Sequence, residues 1–214
     1  MKSQSTDPRT QRTCKRLRKA LMESVIEKPF RDLTIRDITD HADVNRATFY
    51  LHYEDKYDLL EDCANVLFAE WKAAIELNTI FDPATFVNHM GQKYGHRMIY
   101  LLHHVEAHHA FYRAMFCHDG EATFYSLFLD NATTWIKVQV KQILEYLNKE
   151  VDEEWIDMMV RFQSAGNFDV LRWWLQNDMN IPIDIMAARL AKITMPPLIR
   201  LLIEEAIPSG YSSR

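Results

Sequence analysis

The chain has 214 residues, of which 48% are hydrophobic and 26% charged, and its formal net charge is −5. This length and hydrophobic content suffice for a sizeable core, in one large domain or two small ones. No run of 18 apolar residues occurs and the N-terminus is polar, so we expect a cytoplasmic protein without a membrane span. Glycine and proline are few, and apolar residues recur with a period near 3.6, which predicts an all-α fold.

The first predicted helix runs from about residue 10 to residue 27. Leu17, Leu21 and Val25 recur on it at spacings of four residues and form one apolar face. Pro29 follows at the position where this helix has to end.

Two short helices joined by a tight turn are predicted next, followed by a longer one. Thr34 begins the pattern Thr-x-x-Asp, which is the sequence form of a capping box, and starts a helix that extends to Ala42. Asp43 tolerates the left-handed backbone of a tight turn, and Asn45 is a second helix N-cap. The helix after Asn45 covers residues 46–52, and a further helix covers about residues 56–77.

The helix over residues 46–52 has one anchoring side chain and an open side. Phe49 is the anchor, while Arg46, Ala47 and Thr48 lie near the exposed N-terminus. Arginine can donate two hydrogen bonds to guanine, threonine can contact a phosphate or a thymine methyl group, and alanine leaves room for close approach. The pattern favours insertion into the DNA major groove; an ordinary surface helix in a three-helix bundle is the alternative.

The run of residues 33–63 resembles the DNA-binding head of the tetracycline-repressor (TetR) family. Members combine an apolar-Thr start, an ITxxA-like helix, a VxxxTFY segment, aromatic-x-x-Lys and paired leucines. In this chain those motifs are Leu33-Thr34, Ile38-Thr39-x-x-Ala42, Val44 to Tyr50, Tyr53 to Lys56, and Leu59-Leu60. The resemblance covers about residues 10–70 and departs at Asp43, where the family usually has Gly, and at Asn45, where Ser or Thr is commoner.

The resemblance implies an N-terminal three-helix helix-turn-helix head and a larger C-terminal helical domain for ligand binding and dimerisation. We expect the head at residues 1–55, with the helix-turn-helix at about 33–52, the second domain at 56–205 and a tail at 206–214. The residues expected to contact double-stranded DNA are Thr34, Asn45, Arg46, Ala47, Thr48, Tyr50, His52, Tyr53 and Lys56.

Charge is divided unevenly along the chain. Residues 1–56 carry twelve Lys/Arg and nine Asp/Glu, a net charge of +3, and the remaining residues carry a net charge of −8. The sign changes at the end of the proposed head, as expected if only that part contacts phosphate. The basic residues between Arg9 and Lys19 are the densest such cluster, which is either a DNA contact or a solvated arm.

Beyond Asp82-Pro83 we predict helices near residues 84–103, 106–117, 121–149, 153–177 and 183–205, with breaks at 118–120, 148–152 and 177–182. Pro196 and Pro197 are expected to kink or restart the last helix. The resemblance implies that the last two helices pair with those of a second copy in a homodimer. The residues predicted for that interface, which intrachain core packing would explain equally well, are Trp155, Met159, Phe162, Gly166, Val170, Trp173, Leu190 and Leu201.

The resemblance also implies an effector cavity in the region of residues 84–150. The residues expected there are Tyr94, Met98, His104, His108, Phe111, Tyr112, Phe116, Phe124 and Trp135. An aromatic lining with few inward-facing Lys or Arg favours a small, flat, apolar ligand. The alternative is that these aromatic residues simply fill the core.

His104 and His108 suggest a different chemistry, because two histidines four residues apart on a helix can share a metal ion. The pattern is not the HExxH of a zinc protease, since Glu106 lies two residues after His104. A helical-bundle metal-dependent enzyme using residues 103–109 and a protein-binding coactivator are therefore alternatives. The favoured interpretation is a non-enzymatic repressor without a metal or cofactor, released from DNA by a small effector.

Overall fold

The computed structural model describes residues 7–78, 82–117 and 121–203. Within these ranges it describes the side chains of all residues except 78, 90–92 and 195–203. All regular secondary structure in these ranges is helical, which confirms the all-α prediction. The chain divides into two compact units, one of residues 1–70 and 108–128 and the other of residues 71–107 and 129–214. The first unit includes the start of α4 (Lys56–Asn78) and a segment from the middle of the chain. The functional boundary expected at residue 55 stays a prediction.

The first unit contains four helices at the N-terminal end and two from the later segment. They are α1 (Pro8–Glu27), a 3₁₀ turn (Phe30–Asp32), α2 (Ile35–Ala42), α3 (Arg46–His52), the first part of α4 (Lys56–Asn78), α7 (His109–Phe116) and the first part of α8 (Ala122–Tyr146). Leu17 and Leu21 of α1, Ile38 of α2 and Phe49 of α3 are fully buried in its core. Each helix thus buries the apolar face that its sequence spacing predicts.

The termini of α2 and α3 have the predicted local chemistry. Thr34 and Asp37 form a reciprocal capping box at the start of α2. Asp43 ends that helix in the left-handed region, with φ of 49°, and Asn45 caps α3 by accepting a hydrogen bond from the amide of Ala47. These caps position two short helices that would be only marginally stable by themselves.

An aromatic cluster fills the later part of the first unit. Phe111, Tyr112 and Phe116 of α7 pack against Phe124 and Phe128 of α8, with ring centroids 5.2–6.4 Å apart. All five residues are buried. Their tilted and edge-on orientations are those that aromatic pairs prefer in protein cores.

The second unit contains the end of α4, α5 (Pro83–Asn88), α6 (Met90–Ala107), the rest of α8, α9 (Glu153–Gln176) and α10 (Ile183–Ile203). One of its buried clusters joins α5, α8 and α9 through Phe86, Val140, Ile143 and Val160. No helix in the described ranges is long and apolar enough to cross a membrane.

Two helix predictions for this unit need correction. The single helix expected at 84–103 is two helices, because the chain leaves the helical conformation at His89, the C-cap of α5. The last helix, expected to kink or restart at Pro196-Pro197, does not restart there, since α10 continues through both prolines. The kink stays a prediction, because proline removes an amide donor and often bends a helix without ending it. The predicted break at 118–120, the tail at 206–214 and the Leu201 side chain lie outside the described residues and side chains.

The capping box makes the stability of α2 dependent on pH. The Asp37 carboxylate accepts hydrogen bonds from the Thr34 amide at 2.8 Å and from Lys28 Nζ at 3.0 Å. These bonds lower the pKa of Asp37 to about 2. Because the pKa is depressed in the folded state, the stabilisation is present above the pKa of an unfolded aspartate, about 4, and is lost as the pH falls towards the folded value.

We therefore expect Asp37→Asn to lower the melting temperature at pH 7, with a difference from the wild-type protein that shrinks as the pH falls below about 4. Thermal unfolding followed by circular dichroism at a series of pH values measures this difference. Asp40→Asn is the control, since the Asp40 carboxylate is exposed and pairs with Arg36 at 3.4 Å. A difference for Asp37→Asn that stays constant down to pH 3 would contradict the assignment.

Candidate functional site

The exposed side of α3 is the first candidate site. Phe49 is fully buried and fixes the helix to the core, whereas Arg46, Ala47 and Tyr50 are exposed and Thr48 is half-buried. Asn45 is also exposed and uses its side-chain oxygen for the cap. The N-terminal turn of α3 thus presents a cation and small side chains to the outside, which is the geometry of a recognition helix.

Arg46 is held in a defined orientation along this surface. One guanidinium nitrogen lies 3.1 Å from the Tyr50 hydroxyl, to which it donates a hydrogen bond. The guanidinium carbon also lies 5.6 Å from the centre of the Tyr50 ring, within the range of a cation–π contact. Because the two residues are one helical turn apart, Tyr50 orients Arg46 without covering it.

Tyr53, which the sequence predicts as a DNA contact, lies in the core. Its hydroxyl donates a 2.6 Å hydrogen bond to the Asp62 carboxylate, which also accepts a 2.7 Å hydrogen bond from Arg18. Burial and the bond to Asp62 raise the pKa of Tyr53. This network joins α1, α4 and the end of α3, so Tyr53 supports the surface and does not form part of it.

Lys56 is likewise engaged inside the head. Its ammonium group donates hydrogen bonds of 2.8–2.9 Å to the carbonyl oxygens of Phe30, Arg31 and Leu33. It also lies 4.8 Å from the centre of the Phe30 ring. The Lys56 ammonium group thus stabilises the turn that precedes α2. The sequence predicts instead that this group contacts a DNA phosphate.

We expect Lys56→Met to destabilise the head by about 1–3 kcal/mol, because it removes three hydrogen bonds from a charged donor. Thermal unfolding measures that loss, with Lys15→Met on the exposed side of α1 as the control. The dependence of DNA affinity on salt concentration is expected to stay unchanged. A phosphate contact predicts instead that the slope falls by roughly one unit while stability is preserved.

Two further predicted DNA contacts, Thr34 and His52, lie at the start of α2 and the end of α3. Thr34 is exposed, and its hydroxyl accepts a hydrogen bond from the Asp37 amide at the start of α2. His52 is half-buried beside Tyr53. Both keep atoms on the outside and remain candidates for DNA contact.

The second candidate site is a cavity within the second unit. The space between its walls, counted together with the adjoining open solvent, is about 790 Å³. Six helices, α4, α5, α6, α8, α9 and α10, contribute to its wall. The lining residues are Trp71, Ile75, Phe86, Tyr94, Arg97, Met98, Leu101, Trp135, Ile136, Gln139, Val140, Ile143, Gln163, Ser164, Asn167, Phe168 and Thr194.

The cavity brings together only part of the predicted effector residues. Tyr94, Met98 and Trp135 line it. Phe111, Tyr112, Phe116 and Phe124 instead form the aromatic cluster of the first unit, because α6 ends at Ala107 and α7 belongs to the other unit.

The histidines that suggested a metal do not share a helix. His104 lies in α6, which ends at Ala107, whereas His108 precedes α7. In the first unit, His108 Nε2 lies 3.7 Å from a carboxylate oxygen of Glu70. His104 is half-buried in the second unit and does not line the cavity.

Arg97 is a cationic side chain of the cavity that the sequence analysis does not name. It is only 5% exposed and lines the cavity, with a guanidinium nitrogen 2.8 Å from the side-chain oxygen of Gln139. The sequence contains a signal for it, because residues 94, 97, 98 and 101 fall on one face of α6. Three of those four residues are apolar or aromatic, so their spacing indicates an inward face of α6, and Arg97 falls on that face.

An exposed apolar strip on α9 is the third feature. Phe162 is 77% exposed, and Met158 and Trp173 are about half-exposed on the same helix. Gly166 lies between them, and no described atom outside its own helix backbone comes within 4 Å of the position that a Cβ would occupy. We call the strip formed by Met158, Phe162, Gly166 and Trp173 the α9 face.

The predicted interface residues divide between this face and the core. Met159 and Leu190 are buried within the chain, and Trp155 and Val170 are half-buried. Ile193 of α10, which falls on the apolar stripe that the sequence shows along this helix, is exposed, and so is Ile185, which the sequence does not single out. The predicted stripe on α9 therefore faces partly into the core, and the exposed apolar side of the helix lies next to it around the helix axis.

Comparison with known proteins identifies two family matches. A family described as "Bacterial regulatory proteins, tetR family" matches residues 17–63, and one described as "Transcriptional regulator C-terminal region" matches residues 96–196. The chain is also 38% identical over 72 residues to an uncharacterized HTH-type transcriptional regulator, YxbF, of Bacillus subtilis. That match covers 31% of this chain and 19% of YxbF, so the aligned part is about a fifth of that relative's length.

Solved structures share the fold. A putative TetR-family transcriptional regulator from Syntrophomonas wolfei is similar over 91% of this chain and 99% of its own, with a TM-score of 0.66 and 14% identity. A tetR-family regulator from Streptomyces coelicolor covers 94% of this chain and 92% of its own, with a TM-score of 0.61 and 15% identity. The capped helix pair, the exposed start of α3 and these matches agree, and the chain belongs to the TetR family of bacterial transcriptional regulators.

Proposed function

We propose that the protein is a repressor that binds an inverted-repeat operator as a homodimer and releases it when a small effector occupies the cavity of the second unit. The observation that carries this proposal is the exposed N-terminal turn of α3, with Arg46 oriented by Tyr50. Members of the family are DNA-binding regulators and not enzymes.

Electrostatics supports DNA as the partner of the head. Residues 1–56 have a net charge of +3 in a chain whose total is −5. Attraction to phosphate is therefore expected for the part of the sequence that contains α3, and the acidic remainder of the chain is repelled from DNA. Arg46 reads a base edge in this proposal, while Thr34, Thr48 and Tyr50 position α3 against the backbone.

The α9 face supports the homodimer. It exposes the large apolar side chains of Met158, Phe162 and Trp173 on one helix, and Gly166 permits close approach of a second helix. Two copies related by a twofold axis present two α3 helices and select an inverted repeat, with half-sites about 34–36 Å or a multiple of that distance apart.

Release of the operator by an effector requires that the effector bind one state of the protein better than the other. α4 contributes residues to both units, and its Trp71 and Ile75 line the cavity. A ligand that moves this helix therefore changes the first unit through a continuous element. A coupling free energy of about 1–3 kcal/mol weakens operator affinity roughly 5–150-fold.

A reporter gene placed downstream of the DNA that precedes the gene for this protein tests whether the protein represses or activates transcription. We expect expression to fall when the wild-type protein is supplied and to recover with a compound that binds the cavity. Increased expression on adding the protein would identify an activator, and expression that the protein does not change would contradict the proposed function.

A further inference from the structure

The cavity of the second unit carries two polar features that simple core packing does not explain. One is Ser164, whose side chain is 1% exposed and whose hydroxyl has no hydrogen-bond partner among the described residues. The other is Arg97, a cation that lines a largely apolar cavity. A buried hydroxyl without a partner costs free energy in the folded chain, and a polar group of a ligand would recover it.

The other polar side chains of the cavity are already paired with one another. The Asn167 amide donates to the Tyr94 hydroxyl at 3.1 Å, and the Thr194 hydroxyl donates to the Asn167 side-chain oxygen at 2.8 Å. Gln163 donates to the Thr194 carbonyl oxygen at 3.2 Å. This chain of hydrogen bonds forms a fixed wall, and the Ser164 hydroxyl is not part of it.

Arg97 has a planar guanidinium with five N–H donors, which is the side chain best suited to bind a carboxylate. One donor goes to Gln139, and the Trp135 ring centre lies 5.0 Å from the guanidinium carbon. Burial lowers the pKa of Arg97 to about 10, even though the negative charge of Glu76 on α4 acts to raise it. Burial therefore disfavours the charged guanidinium, and an anion brought close to it would offset that cost.

The rest of the lining is flat and apolar. Trp71 and Trp135 pack edge to face with ring centroids 5.1 Å apart, and Phe86 and Phe168 also line the cavity. Such side chains favour an aromatic ring over a sugar or a nucleotide. A single buried cation balances one negative charge but not the two or more of a phosphorylated metabolite.

Resting on the proposed effector role of this cavity, we propose that its ligand is a flat aromatic carboxylic acid whose carboxylate binds Arg97. The aromatic ring lies among the tryptophan and phenylalanine side chains, and Ser164 donates its hydroxyl to an oxygen of the ligand. This ligand class refines the apolar effector expected from the sequence by adding one negative charge.

Titration of the full-length protein with matched acid and amide pairs tests the proposal. The probes are benzoate, naphthalene-2-carboxylate and biphenyl-4-carboxylate, each with its neutral primary amide, and tryptophan fluorescence reports binding because two tryptophans line the cavity. We expect at least one acid to bind roughly 10–100-fold more tightly than its amide, the range for hydrogen bonds to a charged group. Equal affinity for acid and amide, or no binding of any acid, overturns the ligand class.

Two substitutions connect the preference to the named residues. Arg97→Met should reduce the preference for the acid over its amide to about threefold or less. Ser164→Ala should lower the affinity for the acid while leaving a clear preference for the acid over its amide. Arg189→Met, at an exposed position of α10, is the control and should bind like the wild-type protein. An acid preference that survives Arg97→Met in a protein with an unchanged circular dichroism spectrum also overturns the assignment.

Operator release distinguishes this inference from the proposed function. An acid that binds through Arg97 and releases the operator supports both. An acid that binds through Arg97 while the operator stays bound supports the ligand class and contradicts the regulatory role of the cavity. Operator release by a compound that does not depend on Arg97 contradicts the ligand class alone.

Discussion

Replacing Arg46 with alanine is expected to weaken operator binding by about 1–3 kcal/mol, roughly 5–150-fold, and to relax discrimination at one base pair in each half-site. The physical reason is that Arg46 is an exposed cation at the N-terminal turn of α3, held by Tyr50 in an orientation suited to a base edge. Fluorescence anisotropy with the operator and with single-base variants of it measures both quantities.

Arg46→Lys separates base reading from simple charge. Lysine keeps the positive charge but loses the planar fork, so we expect the salt dependence to be retained and base discrimination to fall. Tyr50→Phe removes only the hydroxyl that orients Arg46 and should have a smaller effect than Arg46→Ala. If Arg46→Ala weakens all sequences equally and reduces the salt slope by about one unit, Arg46 contacts phosphate and base reading lies elsewhere.

Phe162→Glu is expected to convert the homodimer to monomers and to weaken operator binding roughly 100-fold or more, because a single head loses the gain from bivalent attachment. Phe162 is 77% exposed in the single chain, so the substitution leaves the core of the second unit intact. In the dimer, however, it places an uncompensated carboxylate in an apolar interface. Sedimentation equilibrium and operator titration on the same samples measure the two effects.

Val138→Glu is the matched control for this substitution. Val138 is 52% exposed on α8, outside the α9 face, and the change in charge is identical. Gly166→Leu tests the same face by volume instead of charge, and the open space around Gly166 indicates that the folded monomer tolerates it. A Phe162→Glu protein that remains dimeric at micromolar concentration would show that the α9 face is not the interface.

The features that the sequence predicted well depend on local interactions. The capping box of Thr34 and the Asn45 cap each involve residues two or three positions apart, so their spacing is visible in the chain. The left-handed turn at Asp43 follows from the same local chemistry. The family resemblance added the arrangement of these elements, which local patterns alone do not specify.

The features that the sequence did not predict depend on distant contacts. Lys56 is bound by carbonyl groups 23–26 residues earlier in the chain, so nothing near it indicates that its ammonium group is engaged. Tyr53 shows the same limit, because the Asp62 carboxylate that it binds is fixed by Arg18, 44 residues earlier on α1. A polar residue at a helix end therefore has two equally plausible roles, surface contact or internal support, until its tertiary contacts are determined.

Selection of DNA from a random pool by the purified full-length protein tests the central claim most directly, since the pool contains every candidate operator sequence. We expect the bound sequences to converge on an inverted repeat, and Arg46→Ala to lose preference at one symmetric pair of positions. Bound DNA without sequence preference, or a preference that Arg46→Ala leaves unchanged, would contradict recognition through α3.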